Sequence, residues 1–325
     1  METGMTAQPV PAQALDQEFD QLRGPLLAHC YRMTGSFQDA EDVVQETYLR
    51  ARRGIDRFEE RSSLKTWLYQ IATNTCLSAL GHRERRVLPS GLGAPATDPY
   101  APIVSDTGVS WLQPLPDSAV GDPAEIVVTR ESVRLALTVA LQYLPPRQRA
   151  AFLLREVLSW SAEDIATTLG ISAPAVKSLL QRARARLGTA AVAEPAPGEV
   201  EHDLLARYIA AFEQADVRAL EEIIHADFTL ESTTHRTWFK GIAVCLPFLA
   251  RTMAPVGSAR LIPAGFNGQP GYISYRDRGD GVFAAIGIGI LTVDHDRVRA
   301  LTNFKDDDLL RALRLPMILS GGAAS

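Results

Sequence analysis

The chain has 325 residues, 46% of them hydrophobic, with 33 Lys and Arg against 38 Asp and Glu. This length suits two or three domains with packed cores, and the net charge of −5 excludes a uniformly basic, histone-like protein. Three widely spaced cysteines, Cys30, Cys76 and Cys245, form neither a disulfide framework nor a metal-ligand cluster. With no signal-peptide pattern and no apolar run of membrane length, we expect a cytoplasmic protein without metal, cofactor or membrane contact.

Three helical patterns follow a flexible tail at residues 1–14. Apolar spacing predicts helices over residues 15–34, with a kink at Gly24–Pro25, and over residues 39–53 and 63–80. The outer side of the second helix carries Asp39, Glu41, Asp42, Gln45 and Glu46. Residues 61–86 hold five Lys and Arg against one Glu, so the third helix runs into a basic end.

The composition then changes sharply. Residues 87–122 contain six prolines, four aspartates and no Lys or Arg, which predicts an extended acidic linker over residues 88–123. Fully extended, such a linker spans at most about 120 Å, or roughly 35 base pairs of duplex DNA. Modules on its two sides can therefore bind well-separated elements of one DNA molecule.

The clearest local pattern lies between Pro145 and Leu187. It predicts three short helices, the first over residues 147–158. Ser161 and Asp164 form a capping box at the start of the second helix, which ends at Gly170. Ser172 caps the third helix, which has Pro174 in its first turn. The third helix has one apolar side and, elsewhere, only small, polar and basic residues. This pattern is typical of a helix-turn-helix whose second helix enters the major groove, although a three-helix bundle with a solvated basic side is an alternative.

A Pro/Ala-rich hinge at residues 190–198 precedes a tail with a different pattern. Helices are predicted first, over residues 199–215, 217–224 and 242–253. Alternating, β-rich stretches follow up to Phe304, separated by turn signals such as Asn267-Gly268. Helices followed by an antiparallel sheet predict an α+β domain.

Three sequence blocks, DAEDVVQETYLRA (39–51), RSSLKTWLYQIATN (61–74) and 144–187, resemble bacterial RNA polymerase sigma factors of the extracytoplasmic-function group. The linker and tail resemble the subgroup with a SnoaL-like domain of the nuclear transport factor 2-like fold. The resemblance implies a multidomain protein with two all-α helical sigma domains, the second a helix-turn-helix, followed by an α+β cone-shaped SnoaL-like domain. The implied boundaries are region 2 at 15–87, the linker at 88–123, region 4 at 124–189, the SnoaL-like domain at 199–318 and a tail at 319–325.

The resemblance also implies roles for individual residues. The acidic side of helix 39–53 matches the surface that docks on the polymerase clamp helices, although on spacing alone a solvated charged helix is the alternative. Opening of the −10 element needs stacking surface and phosphate contacts, which we assign to Lys65, Trp67, Tyr69, Asn74, Arg83, Arg85 and Arg86. Trp67 is also a candidate for the core, so Asn74 and Tyr69 rank above it. Recognition of the −35 element is assigned to eight residues: Ser172, Ala173, Lys177, Ser178, Gln181, Arg182, Arg184 and Arg186. Of these, the arginines contact phosphates or the polymerase flap.

The SnoaL-like tail implies an apolar pocket that binds a small-molecule or protein regulator. Candidate lining residues are Tyr208, Phe212, His235, Trp238 and Phe248, with ordinary core packing of these aromatic residues as the alternative. No catalytic constellation is visible, so we predict a regulatory tail and no enzyme. Two other functions stay open: a stand-alone helix-turn-helix regulator that binds duplex DNA unaided, and an enzyme whose tail converts a small molecule.

Overall fold

The computed structural model describes residues 12–59, 62–81, 85–106, 108–121, 133–188, 199–253, 255–279 and 281–320. They belong to two compact units, the first drawn from Met1–Arg85 and Ala119–Ala193, the second from Arg86–Ser118 and Glu194–Ser325. The predicted hinge at 190–198, residues 1–11 and 321–325 of the predicted tails, and Arg83 lie outside the described residues.

The first unit begins with α1 (Ala12–Thr34), α2 (Phe37–Gly54) and α3 (Leu64–Leu80). Ser36 and Ser63 cap α2 and α3, because their hydroxyl oxygens accept hydrogen bonds from the N–H groups of Asp39 and Thr66. The structure has one helix through Pro25, and residues 12–14 of the predicted tail form its first turn. The three predicted helices are otherwise confirmed to within three residues.

The second part of this unit holds α4 (Leu135–Gln142), α5 (Pro146–Glu156), α6 (Ala162–Leu169) and α7 (Ala173–Leu187). The cap of α6 by Ser161 is confirmed, and Asp164 contacts the Ser161 hydroxyl. The Ser161 hydroxyl accepts from the Asp164 N–H at 3.1 Å and donates to the Asp164 carboxylate at 2.7 Å. Gly170 ends α6 with φ 62°, a left-handed conformation that glycine adopts without steric cost.

Arg149 of α5 joins the two parts of the helical unit. Its buried guanidinium donates to the backbone carbonyl of Met33 at the end of α1 and to the Gln142 side-chain oxygen at 2.7 Å. The same group donates to the carbonyls of Gln142 and Leu144 at 3.2 and 3.1 Å. Arg149 therefore satisfies several buried carbonyls where α4 and α5 pack on α1.

The second unit contains α8 (Glu199–Glu213), α9 (Val217–Ile223), α10 (Ile242–Thr252) and α11 (Asp307–Ala312). Its strands are β1 (Ile224–Ser232), β2 (Trp238–Lys240), β3 (Ala259–Phe266), β4 (Gln269–Asp277), β5 (Val282–Asp294), β6 (Arg297–Phe304) and β7 (Ile318–Ser320). The described strands form one sheet of order β2-β1-β6-β5-β4-β3, and β7 pairs with β5. The predicted α+β fold class is confirmed.

The sheet differs from the expected antiparallel one because β1 pairs with β6 in parallel. The sequence prediction had no strand at β1 or β2. The burial of β1 does not alternate strictly, and its register shifts between Ile224 and Thr229, so the period-two signal of a strand is weak there.

Residues 86–118 pack with the tail, contrary to the prediction of an independent extended linker. The Ser90 N–H donates to Glu231 of β1 at 3.0 Å. Leu115 exchanges hydrogen bonds with Asn267, its N–H donating to the side-chain oxygen and its carbonyl accepting from the N–H. Leu112 and Leu115 are buried. The segment carries apolar side chains and backbone N–H and C=O groups that need hydrogen-bond partners. Packing with the tail buries side chains of the first kind and supplies partners for the second.

Candidate functional site

The acidic side of α2 is solvent-accessible but only partly free of ion pairs. Glu41 pairs with Arg23 at 3.2 Å and Glu46 with Arg50 at 2.7 Å, whereas Asp42 and Gln45 are exposed. Asp39 sits half-buried in the first turn of the helix. Leu49 lies one helical turn after Gln45 and two turns after Asp42, and it is 40% exposed. Leu49 adds an exposed apolar side chain to this face. It was not among the predicted docking residues, although its helical spacing from Asp42 and Gln45 indicated it.

Tyr69 lies in the core of the helical unit. It is 3% exposed, its ring meets that of His29 edge-on with centroids 5.4 Å apart, and burial raises its pKa to about 12. The preference for Tyr69 over Trp67 as a DNA-contacting residue therefore does not fit the structure, because a ring in the core offers no surface to a base.

Trp67 instead has accessible surface. It packs on Phe58 with ring centroids 5.0 Å apart and lines a groove with Arg57, Thr66 and Gln70. Asn74 is exposed two turns along the same face of α3, and Lys65 is exposed near its start. Asp164 and Thr167 of α6 complete the groove.

Two of the basic residues after α3, Arg85 and Arg86, are engaged within the protein. The Arg85 guanidinium lies over the Tyr143 ring, 4.1 Å from its centroid. Arg86 donates to the Trp111 carbonyl at 2.8 Å.

The accessible face of α7 carries most of the residues predicted to read the −35 element. Ser172 caps α7 by accepting from the Ala175 N–H, and Ala173 is half-buried beside it. Arg184 forms an ion pair with Glu156 at 2.6 Å, and Arg182 donates to the Ser178 carbonyl at 3.2 Å. The following residues of α7 are exposed: Lys177, Ser178, Gln181, Arg182, Arg184 and Arg186.

A cavity of about 150 Å³ opens within the tail. Of the five predicted lining residues, Phe212, His235 and Phe248 line it. Tyr208 lies in the core, where its ring stacks on Tyr272 at 5.7 Å, and the Trp238 indole donates to the Gly93 carbonyl at 2.9 Å. Most of the remaining lining comes from strands β1–β6 and was not predicted.

Two ionisable groups, His235 and Glu231, line this cavity. Burial, and secondarily the charge of Lys305, lowers the pKa of His235. Burial raises the pKa of Glu231, whose two oxygens accept hydrogen bonds from the Ser90 N–H and the Thr302 hydroxyl. Among the described residues, no group of three or more His, Cys, Asp or Glu is placed to hold a metal ion, and no helix there is long and apolar enough to cross a bilayer.

Two family models match the sequence of the helical unit. The family models for Sigma-70 region 2 and Sigma-70 region 4 match residues 19–86 and 134–187. ECF RNA polymerase sigma factor SigG of Mycobacterium tuberculosis is 48% identical over 304 residues, which cover 90% of this chain and 82% of that protein. SigJ of the same organism is 30% identical over 65% of this chain and 62% of its own length.

The crystal structure of M. tuberculosis SigJ shows the same fold. It covers 93% of this chain and 99% of its own with a TM-score of 0.63 and 24% identity. The match includes both helical sigma parts and the α+β tail, so the architecture is shared along nearly the whole length. By this identity and coverage, and by the two matched regions, the chain belongs to the extracytoplasmic-function family of RNA polymerase sigma factors.

Proposed function

We propose that this chain is a cytoplasmic promoter-specificity subunit of bacterial RNA polymerase, with a tail that regulates it and performs no catalysis. The observation that carries the proposal is the presence in one chain of an acidic, accessible α2, a groove lined by the partly accessible Trp67 ring of α3, and a helix-turn-helix. Each of the three tasks of a sigma factor, polymerase docking, strand opening and duplex reading, has a chemically suitable surface.

The docking surface is the side of α2 formed by Asp42, Gln45, Glu46 and Leu49. Its exposed carboxylate and amide suit basic and polar partner groups, and Leu49 supplies apolar area that gains free energy when it is buried. This surface contacts the clamp helices of core RNA polymerase.

The groove at Trp67, together with Asn74, opens the DNA strands. A half-exposed indole offers a stacking platform for an unpaired base, and the exposed amide two turns away can read base edges. Lys65 supplies a phosphate contact. Because Arg85 and Arg86 have partners within the protein, they are weaker candidates for phosphates, whereas Arg83 lies outside the described residues.

The −35 reader is α7. Lys177 and Ser178 lie in its first half and Gln181 just past its midpoint, in the part of a recognition helix whose side chains meet base edges. Arg182 and Arg186 suit phosphates or the polymerase flap, and Arg184 first has to leave Glu156.

A stand-alone helix-turn-helix regulator is the weaker alternative, since it has no use for the surfaces of α2 and α3. An enzymatic tail is also weaker. His225 and Asp227, the polar pair near the α9–β1 joint, are joined by a bond from the Asp227 N–H to His225 Nδ1 and do not line the cavity. Regulation through the tail is favoured because residues 86–118, which connect the two halves of the helical unit in sequence, pack on it.

Core polymerase binding tests the proposal directly. Asp42→Lys in the full chain should weaken binding to purified core RNA polymerase by about tenfold, because a cation replaces the exposed carboxylate at the docking surface. The measurement is a titration of labelled protein with core enzyme, followed by transcription from a promoter library.

Asp308→Lys is the matched control, because it makes the same charge change at an exposed position of α11. Equal affinity of the wild-type, Asp42→Lys and Asp308→Lys proteins would place polymerase docking elsewhere. Failure of the wild-type protein to bind core enzyme or to start transcription at any promoter would reject the proposed function.

A further inference from the structure

The cavity of the tail has two chemically different ends. Aromatic and aliphatic side chains form its inner part, with the Phe239 and Phe248 rings 4.5 Å apart and Phe212 and Tyr272 also in the lining. The other end is polar and includes Ser274, Asn303 and two cations, Arg276 and Lys305. Apolar walls with a few converging polar groups are typical of small-molecule sites.

The two cations lie at the mouth of the cavity. Both line it and both remain exposed, as do Ile103 at 39% and Ile286 at 37%. The aliphatic stem of Lys305 lies close to Gly287 on the neighbouring strand β5, and a Cβ at Gly287 would come within 3.2 Å of Lys305 Cγ. The stem therefore lies against the backbone of β5, and the residue both lines the cavity and keeps accessible surface.

Neither cation is neutralised by a carboxylate of the described residues. Glu231 is the acidic residue in the lining, and both of its oxygens already accept hydrogen bonds within the protein. Asp277, next to Arg276, accepts from the N–H groups of Gly279 and Gly281. Lys305 keeps accessible surface, but the protein around it partly desolvates its ammonium group. This desolvation, together with the like charge of Arg276, lowers the pKa of Lys305, which is consistent with two cations held close without a counter-charge.

We infer that the cavity binds a small monocarboxylate with an apolar body, whose carboxylate lies between Arg276 and Lys305 and whose body contacts the aromatic walls. The charge of the ligand replaces the missing counter-ion, because hydrogen bonds between guanidinium or ammonium and carboxylate are among the strongest in proteins. The volume sets the size, since an apolar cavity of about 150 Å³ accommodates a benzene ring. A neutral or cationic ligand of the same shape leaves the two cations unpaired.

Calorimetric titration of the full-length protein tests this inference with benzoate, benzyl alcohol and benzylamine, which share a ring and differ in charge. Benzoate should bind one site per chain with a dissociation constant below about 10 mM. Benzyl alcohol should bind at least about tenfold more weakly, and benzylamine should not bind. Because the cations are exposed, Arg276→Gln and Lys305→Gln should fold normally, as circular dichroism will verify, and each should weaken benzoate binding by about tenfold.

Arg278→Gln is the matched control, since Arg278 is exposed two residues from Arg276 but does not line the cavity. It should bind benzoate like the wild-type protein. Absence of saturable benzoate binding, equal binding of the three probes, or unchanged affinity in both cavity variants would each overturn the inference. The inference goes beyond the proposed function, and the titration contains neither polymerase nor DNA, so its failure would leave the promoter-specificity role untouched.

Discussion

Trp67 and Tyr69 stand two residues apart on α3, and the packing gives them different roles. Tyr69 faces α1 and meets the His29 ring, so its removal opens a hole in the helical core. Trp67 is supported by Phe58 on one side and is accessible on the other. An indole held in this way is rigid enough to stack on a base and costs little ordering entropy when it does so.

Trp67→Ala should therefore impair promoter opening by about tenfold or more, because stacking on an aromatic ring is worth about 1–3 kcal/mol per base. The free energy of unfolding should fall by only about 1 kcal/mol for this half-exposed residue. Tyr69→Ala should instead cost about 3–5 kcal/mol of stability. Permanganate reactivity of promoter thymines measures opening, and urea denaturation measures stability.

Tyr69→Phe serves as the control, since it keeps the ring in the core and should leave both quantities nearly unchanged. If Trp67→Ala opens promoter DNA like the wild-type protein, the stacking platform lies elsewhere.

At the scale of elements, α1 and α3 are held together by a buried polar contact within an apolar interface. His29 Nε2 and the Thr73 hydroxyl are 3.0 Å apart, and Cys30 and Cys76 are buried in the same core. Burial, and secondarily the charge of Arg32, lowers the pKa of His29 to about 3. The folded helices therefore hold this imidazole neutral.

This pKa predicts an acid-sensitive contact between α1 and α3. The ordinary pKa of His in an unfolded chain is 6.5, so as the pH falls the unfolded chain takes up the proton before the folded one does. The contribution of neutral His29 to the free energy of unfolding is therefore fully present above pH 6.5. Stability falls as the pH drops from 6.5 towards 3, and at pH 5 the loss from His29 should be about 2 kcal/mol. Hydrogen exchange of α1 and α3 amides, corrected for the intrinsic pH dependence, measures it.

His29→Gln should remove this component of the pH dependence, whereas His295→Gln, at an exposed turn of the tail, should retain it. The same loss of protection between pH 7 and pH 5 in all three proteins would contradict the assignment to His29.

At the scale of the whole molecule, the segment 86–118 is the notable feature, because it belongs structurally to the tail although it connects the two helical parts in sequence. Hydrogen bonds between residues more than 130 positions apart hold it on the tail, such as those of Ser90 with Glu231 and of Leu115 with Asn267. The Arg236 side chain also pairs with Asp106, and this hydrogen bond is the main reason that the pKa of Asp106 is lowered. Deleting the tail would remove the hydrogen-bond partners of Ser90, Asp106 and Leu115, so a truncated protein would differ from the native one in more than a lost domain.

Leu115→Ala should release this segment from the tail, because removing a fully buried leucine costs about 2–5 kcal/mol. We expect faster proteolytic cleavage within residues 86–118 at unchanged helical circular dichroism. Leu92→Ala is the control, since Leu92 lies in the same segment but is 38% exposed. Equal cleavage rates in the wild-type and Leu115→Ala proteins would show that Leu115 does not fasten the segment.

The sequence by itself determined the local features and the family. Ser161, Gly170 and Ser172 delimit the helix-turn-helix, and Asn267-Gly268 gives the turn between β3 and β4 with φ of 57° and 64°. These signals are readable because caps and tight turns depend on groups within four residues of one another. The three ordered blocks of the helical unit are specific enough to indicate the family on their own.

Only the tertiary structure decided which residues meet over long distances. It placed Tyr69 in the core and Trp67 in a groove, paired β1 with β6 in parallel, and packed segment 86–118 on the tail. It also brought Arg276 of β4 and Lys305, the residue after β6, to the mouth of one cavity. Neither periodicity nor composition encodes such contacts, because both describe which residues share a face of one element, whereas a contact depends on what that face packs against.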